Sequence, residues 1–338
     1  MSIVLDLALV RALTFCFGLA IGISPAFAGA EPVAKWCAGT KIAAFSGGPE
    51  GADFAVNIVN GFRQAELDLG PAVTIMSSDW DPNKMLNQIK DATAAKVDGV
   101  AAFGFAGDGA TDPLIDKVFA QHGIFTSIHT ALPKAAARYA GAGMGQVGAA
   151  AYKLGFALAA EAALRAKLVK GDEALVWGLK GLGGERAQRT IGVLDALAKA
   201  GAKVTYQEID AATNASPSSG IATFADLLHK NPKFKLVVTD HAGLTANAIA
   251  LAKAADLKPG QIFFAGFDLS PDTVAAISQG YENLVIDQQP YLMGYLSVLD
   301  ICLAHKFGFT GLDVSTLGAF VDAKNVDAIA PLALQHIR

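Results

Sequence analysis

The chain has few of the residues that common catalytic and metal sites require. Only three of its 338 residues are cysteines, and no cysteine or histidine stands at the spacing of a zinc site. There is no serine in a G-x-S-x-G turn, no phosphate-binding P-loop, and no cysteine paired by motif with a histidine. These absences argue against an enzyme, and we expect neither a metal nor a cofactor.

Positive charge is also scarce. The 27 basic residues are outnumbered by 31 acidic ones, and they form no basic run. This pattern argues against a surface that binds nucleic acid. Hydrophobic residues make up 52% of the chain and are accompanied by 35 glycines. That composition is typical of a compact α/β protein and not of a disordered one.

The N-terminal segment predicts export. Arg11 precedes an apolar stretch at residues 12–23, and Ala26-Phe27-Ala28 fits the small-x-small pattern of a signal cleavage site. The stretch is shorter than the roughly 20 residues of a membrane helix. We therefore expect residues 1–28 to be a cleaved signal peptide and the mature protein to be periplasmic. A membrane anchor is the alternative interpretation.

The mature chain would keep two cysteines, Cys37 and Cys302. In an oxidising compartment they could form one disulfide, which would tie the entry of the first predicted strand to a late helix. Two free buried thiols are the alternative, because pairing does not follow from sequence.

Strand-like and helix-like stretches alternate along the chain with short connections between them. In the first half, the predicted strands are residues 41–45, 73–76, 99–103 and 125–128, and the predicted helices are residues 54–69, 83–95 and 114–122. In the second half, the predicted strands are residues 174–178, 204–209, 236–239, 262–265 and 283–286, and the predicted helices are residues 147–168, 186–200, 221–229, 244–255 and 271–279. The repeated rhythm predicts an α/β protein with two doubly wound parallel-sheet lobes.

Residues that follow the predicted strands are the candidates for a binding site, because parallel sheets bind ligands at the carboxyl ends of their strands. The candidates combine hydrogen-bonding side chains with aromatic faces. They are Phe54, Trp80, Phe105, Asp108, His129, Arg186, Asp240, His241, Asp268 and Gln288, with Phe267 as a further aromatic residue. Hydroxyl groups suit the polar side chains, and the C–H face of a sugar ring suits the aromatic ones. The set therefore predicts a sugar or polyol ligand.

Several candidates have an alternative structural interpretation. Asp268 could cap the helix that follows it. His129 and His241 could be ordinary core or surface histidines. Arg186 and Arg189 lie one helical turn apart, so one could hold a structural ion pair while the other reaches the ligand.

Four sequence blocks carry a resemblance to a known family. They are Asp98-Gly99-Val100, Gly123-Ile124, Gly266-Phe267-Asp268 with Pro271, and Gln288-Gln289-Pro290 with Gly294-Tyr295. With these blocks, the chain from about Lys41 to about Val326 resembles the periplasmic solute-binding proteins of sugar ABC importers. Within them it is similar to the ribose-binding-like group, which has type I topology.

The resemblance implies two lobes that close around a ligand at a hinge of three crossings, near residues 142–144, 288–290 and 315–318. It implies an N-terminal lobe of residues 38–143 plus 290–316 and a C-terminal lobe of residues 144–289 plus 317–338. It also implies a monomer that delivers its ligand to an ABC permease in the inner membrane. Closure on the ligand would be a population shift.

The resemblance also implies roles for single residues. Phe54 would stack on the ligand, and Asp268 and Gln288 match the family's binding residues directly. Further matches are Arg186, which stands at the family's arginine, and Asp240 or His241, which stands where the family often has asparagine. His129 stands where the family usually has an aspartate and Thr130 where it often has an arginine, a departure that removes a common clamp on a sugar ring.

These observations favour a non-enzymatic binding component of an ABC importer for a sugar or polyol. A receptor of the same fold that presents a sugar-like signal to a chemoreceptor or sensor kinase is the alternative. A repressor of the lactose-repressor type shares this core, but it would begin with a basic DNA-binding segment, whereas this chain begins with an apolar one.

Overall fold

The computed structural model of the protein describes residues 35–338, so the predicted signal peptide lies outside the described residues. Two sheets of six strands form the framework. The first sheet contains β1 (Lys41–Phe45), β2 (Ala72–Met76), β3 (Gly99–Phe103), β4 (Ile124–Ile128), β5 (Gly145–Val147) and β11 (Asp313–Val314). The second contains β6 (Glu173–Gly178), β7 (Lys203–Glu208), β8 (Phe234–Thr239), β9 (Phe263–Phe267), β10 (Leu284–Ile286) and β12 (Phe320–Val321).

Helices cover the sheets. They are α1 (Asp53–Leu69), α2 (Pro82–Ala94), α3 (Asp108–Ala120), α4 (Pro133–Tyr139), α5 (Ala151–Arg165), α6 (Gly184–Lys199), α7 (Ala211–Ala215), α8 (Ile221–Lys230), α9 (Ala242–Ala246), α10 (Ala248–Ala254), α11 (Pro271–Ser278), α12 (Pro290–Phe307) and α13 (Val326–Ala333). Every residue of β3 and β4 is buried, as expected for parallel strands with helices on both faces. We call the first sheet and its helices the first lobe, and the second sheet and its helices the second lobe.

The two sheets have the same topology. The strand order is β2-β1-β3-β4-β5-β11 in one and β7-β6-β8-β9-β10-β12 in the other. All the paired strands are parallel except β10 and β12, which are antiparallel. In each sheet the order reverses beside the first strand, which is where such folds bind ligands. The predicted fold of two doubly wound lobes is confirmed.

Some elements differ from their predicted limits. The helix predicted at residues 147–168 spans Ala151–Arg165 instead, because Gly145–Val147 pairs with β4 as a short strand. The helix predicted at residues 244–255 is divided at Asn247, whose Nδ2 donates a hydrogen bond to the backbone oxygen of Gly243 at 2.7 Å. The third helix begins earlier than residue 114, at Asp108.

The chain passes between the sheets three times within the described residues. It crosses between β5 and α5, between β10 and α12, and between β11 and β12. The first crossing follows Val147, a few residues beyond the predicted position at residues 142–144, because β5 belongs to the first sheet. The lobe limits implied by the resemblance stay a prediction.

A disulfide joins Cys37 to Cys302 within the first lobe, with 5.7 Å between their Cα atoms. Cys37 lies just before β1, and Cys302 lies on α12. Both side chains are fully buried. Of the two alternatives that the sequence left open, the structure therefore has the disulfide.

Candidate ligand-binding site

A cavity of about 450 Å³ lies between the carboxyl ends of the two sheets and is lined by both lobes. Eight of the ten candidate residues line it. They are Phe54, Trp80, Phe105, His129, Arg186, His241, Asp268 and Gln288. The other two, Asp108 and Asp240, are not part of its lining. Among residues 35–338, no three histidine, cysteine or acidic side chains gather as a metal site.

Asp268 and Gln288 form a buried pair at the ends of neighbouring strands. Asp268 directly follows β9, and Gln288 comes two residues after β10. The backbone nitrogen of Gln288 donates to Asp268 Oδ1 at 3.3 Å, and its Nε2 donates to Oδ2 at 2.7 Å. The N-cap of α11 is Ser270, whose hydroxyl accepts from the backbone nitrogen of Thr273. Asp268 is therefore not the cap of this helix.

The Asp268 carboxyl has an unusual pKa for its type. Burial raises the pKa to about 7, the nearby Arg189 guanidinium lowers it, and the carboxylate of Asp287 raises it further. The residue also has a left-handed backbone with φ of 68°, which is uncommon for a residue other than glycine. A carboxyl group held in such a conformation and titrating near neutrality is typical of a functional site.

Asp240 lies behind the cavity wall and binds two arginines. Arg186 Nη1 donates to Asp240 Oδ2 at 3.1 Å, and its Nη2 donates to the Asp240 backbone oxygen at 2.9 Å. Arg189 Nε and the Thr190 hydroxyl also donate to the Asp240 carboxylate. Burial alone would raise the pKa of Asp240, but the two guanidinium groups bring it below the ordinary value. Asp240 is thus a fully buried counterion and not a lining residue.

The two arginines differ in the side chains that they contact in addition to Asp240. Arg189 Nη1 donates to Gln288 Oε1 at 3.2 Å, which connects the arginine pair to the pair of Asp268 and Gln288. The Arg189 guanidinium also lies over the ring of Phe267, 4.5 Å from its centroid. Phe267 itself is fully buried and does not line the cavity. Arg189 and Gln288 therefore belong to one continuous polar network that faces the ligand space.

Both histidines of the site are uncharged at neutral pH. Burial, and then the positive charges of Arg189 and Arg186, lower the pKa of His129 to about 3. Burial and the same arginines lower the pKa of His241 to about 4. A neutral imidazole offers one donor and one acceptor. His241 Nδ1 accepts from the backbone nitrogen of Gly243 and so also caps α9.

The first lobe lines its side of the cavity with aromatic rings. We call Phe54, Trp80, Phe103 and Phe105 the aromatic wall. Its neighbouring ring centroids lie 5.6–6.4 Å apart, mostly in tilted or edge-to-face arrangements. His129 borders the wall, with its ring 5.7 Å from that of Phe54. Phe103 ends β3 and was not among the candidates, because those come from the residues that follow the predicted strands.

Local backbone geometry fixes the Trp80 ring. Asp79 and Trp80 both have positive φ, 53° and 59°. The indole lies against Gly47 and Gly48, where a Cβ atom would come within 2.6 Å of it. Any larger residue at these two positions would displace the ring. The Gly-rich loop after β1 is thus part of the site, although it contributes no side chain.

Asp108 lies outside the cavity lining. Its Oδ1 accepts hydrogen bonds from the backbone nitrogens of Lys134 and Ala135, at 3.2 and 3.3 Å. It therefore binds the free N-terminal amides of α4, a helix that the sequence analysis did not predict. Other lining residues were missed for a similar reason: Asn214 lies on the unpredicted helix α7, and Asn247 lies at the break between α9 and α10.

Comparisons with known proteins agree with this geometry. A family model described as a periplasmic binding protein domain matches residues 42–303. A carbohydrate transporter from Acidothermus cellulolyticus 11B, solved with myo-inositol, is 25% identical over 88% of this chain and 99% of that one, with a TM-score of 0.73. A solute-binding protein from Agrobacterium radiobacter, solved with D-arabinose, shares the fold at 20% identity, with a TM-score of 0.72 over 91% of this chain and 100% of that one.

A shorter match connects the chain to a curated protein. It is 33% identical over 96 residues to the xylose/arabinose-binding protein XylF of Sulfolobus acidocaldarius. That match covers 27% of this chain and only 24% of the curated relative's length. The family model, in contrast, spans most of the described residues. The chain belongs to the periplasmic binding protein domain family and has its type I fold.

Proposed function

We propose that this protein is a non-enzymatic solute-binding component of an ABC importer, which captures a sugar or polyol between its lobes. The observation that carries the proposal is the buried network of Asp268, Gln288 and Arg189, which faces a cavity closed on the other side by the aromatic wall. The periplasmic location, the cleaved signal peptide and the monomeric state are parts of the same proposal.

The network suits hydroxyl groups because each of its members keeps hydrogen-bonding capacity. A carboxylate has about four lone-pair directions, and Gln288 occupies two of those on Asp268. The Gln288 amide and the neutral imidazole of His129 each offer both donors and acceptors. A hydroxyl both donates and accepts, so it can satisfy either kind of group. An analogue without that hydroxyl would leave buried polar atoms unpaired, which costs about 1–3 kcal/mol for each group.

Closure would connect binding to transport. The three crossings between the sheets can act as a hinge, and a ligand that contacts both lobes favours the closed form by its differential affinity. The closed form would present to the permease a surface that spans both lobes. Because the permease would recognise the closed form, delivery requires no chemical reaction at the binding site.

Isothermal titration against free sugars and polyols tests the binding step, with myo-inositol, D-arabinose and D-xylose in the panel. We expect at least one of them to bind. We expect Gln288→Ala to lower the affinity for that ligand tenfold or more, which corresponds to about 1.4 kcal/mol of binding free energy. Gln121→Ala, at an exposed position after α3, is the matched control and should bind as the wild type does. A folded protein that binds no member, or an unchanged affinity in Gln288→Ala, would contradict the proposal.

Small-angle scattering tests the closure step. Addition of a saturating ligand should reduce the radius of gyration, because the lobes approach each other. An unchanged radius with demonstrated binding would argue against hinge closure while leaving the binding step intact.

A further inference from the structure

The two sides of the cavity differ in their chemistry. The second lobe and the hinge contribute most of the polar side chains: Arg186, Arg189, Asn214, His241, Asn247, Asp268 and Gln288. The first lobe contributes the aromatic wall and adds Asp53, His129 and Thr130 as polar side chains. A ligand that fills the cavity should therefore be polar on one side and apolar on the other.

The aromatic wall is larger than the face of one sugar ring requires. A single ring is enough to cover the C–H face of a pyranose or an inositol. Here all four rings line the cavity, with Trp80 and Phe105 partly exposed and Phe54 and Phe103 buried and packed against them. The exposed pair has its ring centroids 6.2 Å apart. Their planes are inclined by 64°, so a ligand's aromatic ring can stack on the indole of Trp80 while Phe105 meets its edge.

The turn that carries Trp80 is also held in a strained conformation. Two successive residues other than glycine, Asp79 and Trp80, have left-handed backbones, and such strain persists where the surrounding structure supports it and is common at ligand sites. The support here is the glycine pair Gly47 and Gly48 beneath the indole.

The size of the cavity also favours a ligand larger than a free monosaccharide. Its volume of about 450 Å³ lies in the range of roughly 300–1,000 Å³ that accommodates drug-sized ligands, which are larger than a monosaccharide. Apolar residues of the second lobe, Leu179, Leu182 and Pro217, extend the apolar lining beyond the aromatic wall. Leu182 is 61% exposed, so it offers apolar surface that a free sugar would not cover.

The charges of the site disfavour an anionic ligand. Asp240 accepts hydrogen bonds from both arginines of the pair, and Asp268 lies beside Arg189. Asp53 and Asp272 also line the cavity, so carboxyl groups outnumber the two guanidinium groups in and behind its wall. A sugar phosphate or a sugar acid would meet no unpaired cation there.

We infer that the ligand is a glycoside with a flat aromatic aglycone, such as a nucleoside or an aryl glycoside. Its aromatic ring stacks on Trp80 with Phe105 at its edge, and its hydroxyl groups bind Asp268, Gln288 and Arg189. His129, which borders both the wall and the polar network, lies where the sugar meets the aglycone. This inference rests on the proposed function, because it names a narrower class of ligand for the same site.

Isothermal titration with matched sets of ligands tests the inference. The probes are D-glucose, D-xylose and D-ribose, their methyl glycosides, phenyl β-D-glucoside, phenyl β-D-xyloside, adenosine and uridine. We expect at least one phenyl glycoside or nucleoside to bind tenfold or more tightly than the methyl glycoside of the same sugar. Trp80→Leu should reduce this preference below threefold, whereas Trp80→Phe, which keeps an aromatic face, should retain most of it.

Trp36→Leu is the matched control, because Trp36 is a partly exposed tryptophan that stacks on Phe307 and does not line the cavity. Fluorescence gives an independent readout. Of the three tryptophans in the protein, Trp80 alone lines the cavity. The phenyl glycoside or nucleoside that binds in the titration should therefore change the emission of the wild type and of Trp36→Leu, but not that of Trp80→Phe.

The outcomes separate the two proposals. Free sugars or methyl glycosides that bind as tightly as every aromatic glycoside would overturn the inference and leave the proposed function standing. A preference that survives in Trp80→Leu would also overturn it, because the ring would then lie elsewhere. A folded protein that binds neither kind of probe would overturn both.

Discussion

Replacement of Asp268 by asparagine should make the empty protein more stable at alkaline pH while it weakens ligand binding. The carboxyl is 3% exposed, and burial raises its pKa from 3.8 to about 7. A raised pKa means that the folded protein holds the proton more tightly than the unfolded chain does. The contribution of this group to the free energy of unfolding is therefore fully present below about pH 4 and is lost as pH rises through about 7.

The size of the effect follows from the two pKa values. A difference of about three pKa units, at 1.36 kcal/mol each, corresponds to about 4 kcal/mol lost at pH 8. Asparagine carries no charge and avoids this loss. It offers one oxygen in place of two, however, so one of the hydrogen bonds from Gln288 is lost, at about 1–2 kcal/mol. The net expectation for Asp268→Asn at pH 8 is a gain of about 2–3 kcal/mol.

Urea unfolding of the ligand-free wild type and of Asp268→Asn between pH 4 and pH 8 measures this difference. The advantage of the variant should disappear by about pH 4, because little of the penalty for the buried carboxylate remains there. The lost hydrogen bond should then leave the variant slightly less stable than the wild type. Asp272→Asn, at an exposed position of the same cavity, is the matched control and should stay within about 0.5 kcal/mol of the wild type. Parallel stability curves for wild type and Asp268→Asn would refute the reasoning.

Three further outcomes are expected. Ligand affinity should weaken as pH falls below about 7, by up to about tenfold per pH unit, because hydroxyl donors favour the ionised Asp268; titration at pH 5 and pH 8 measures it, and equal affinities would contradict it. Cys302→Ser should lower the free energy of unfolding by about 2–5 kcal/mol, measured by urea unfolding, and a loss below about 1 kcal/mol would show that the disulfide contributes little. Gly47→Ala should weaken binding by displacing the Trp80 ring, whereas Gly107→Ala, with the same φ of 78° but open space around it, should lose only stability; equal affinities in the two variants would contradict this role of Gly47.

Sequence patterns located most of the sheet framework because the strands are short apolar runs. The Lys41–Phe45 and Gly99–Phe103 strands have the predicted limits, since each run ends at a polar or glycine residue. The three-residue strand Gly145–Val147 could not be recognised, because only its pairing with β4 and β11 distinguishes it from the start of a helix. Helix α12 was not delimited, because nearly all its faces are apolar and it gives no amphipathic signal.

The site was only partly predictable. Asp268 and Gln288 were found because each follows a strand, and their side chains face the cavity. Asp240 follows a strand in the same way, but two arginines on α6 need a buried counterion, and its side chain therefore turns away from the cavity. Whether a carboxylate faces a ligand or an arginine depends on tertiary packing, which the local sequence does not contain.

The disulfide between Cys37 and Cys302 has a consequence for biogenesis. Its two cysteines stand 265 positions apart, with the entire second sheet except β12 encoded between them. A family member that matures in the periplasm can close this bond only after nearly all of the polypeptide has left the translocation pore. Oxidation is then a late step, and a proteolytic nick anywhere in the intervening stretch would leave both fragments covalently linked until a reductant separates them.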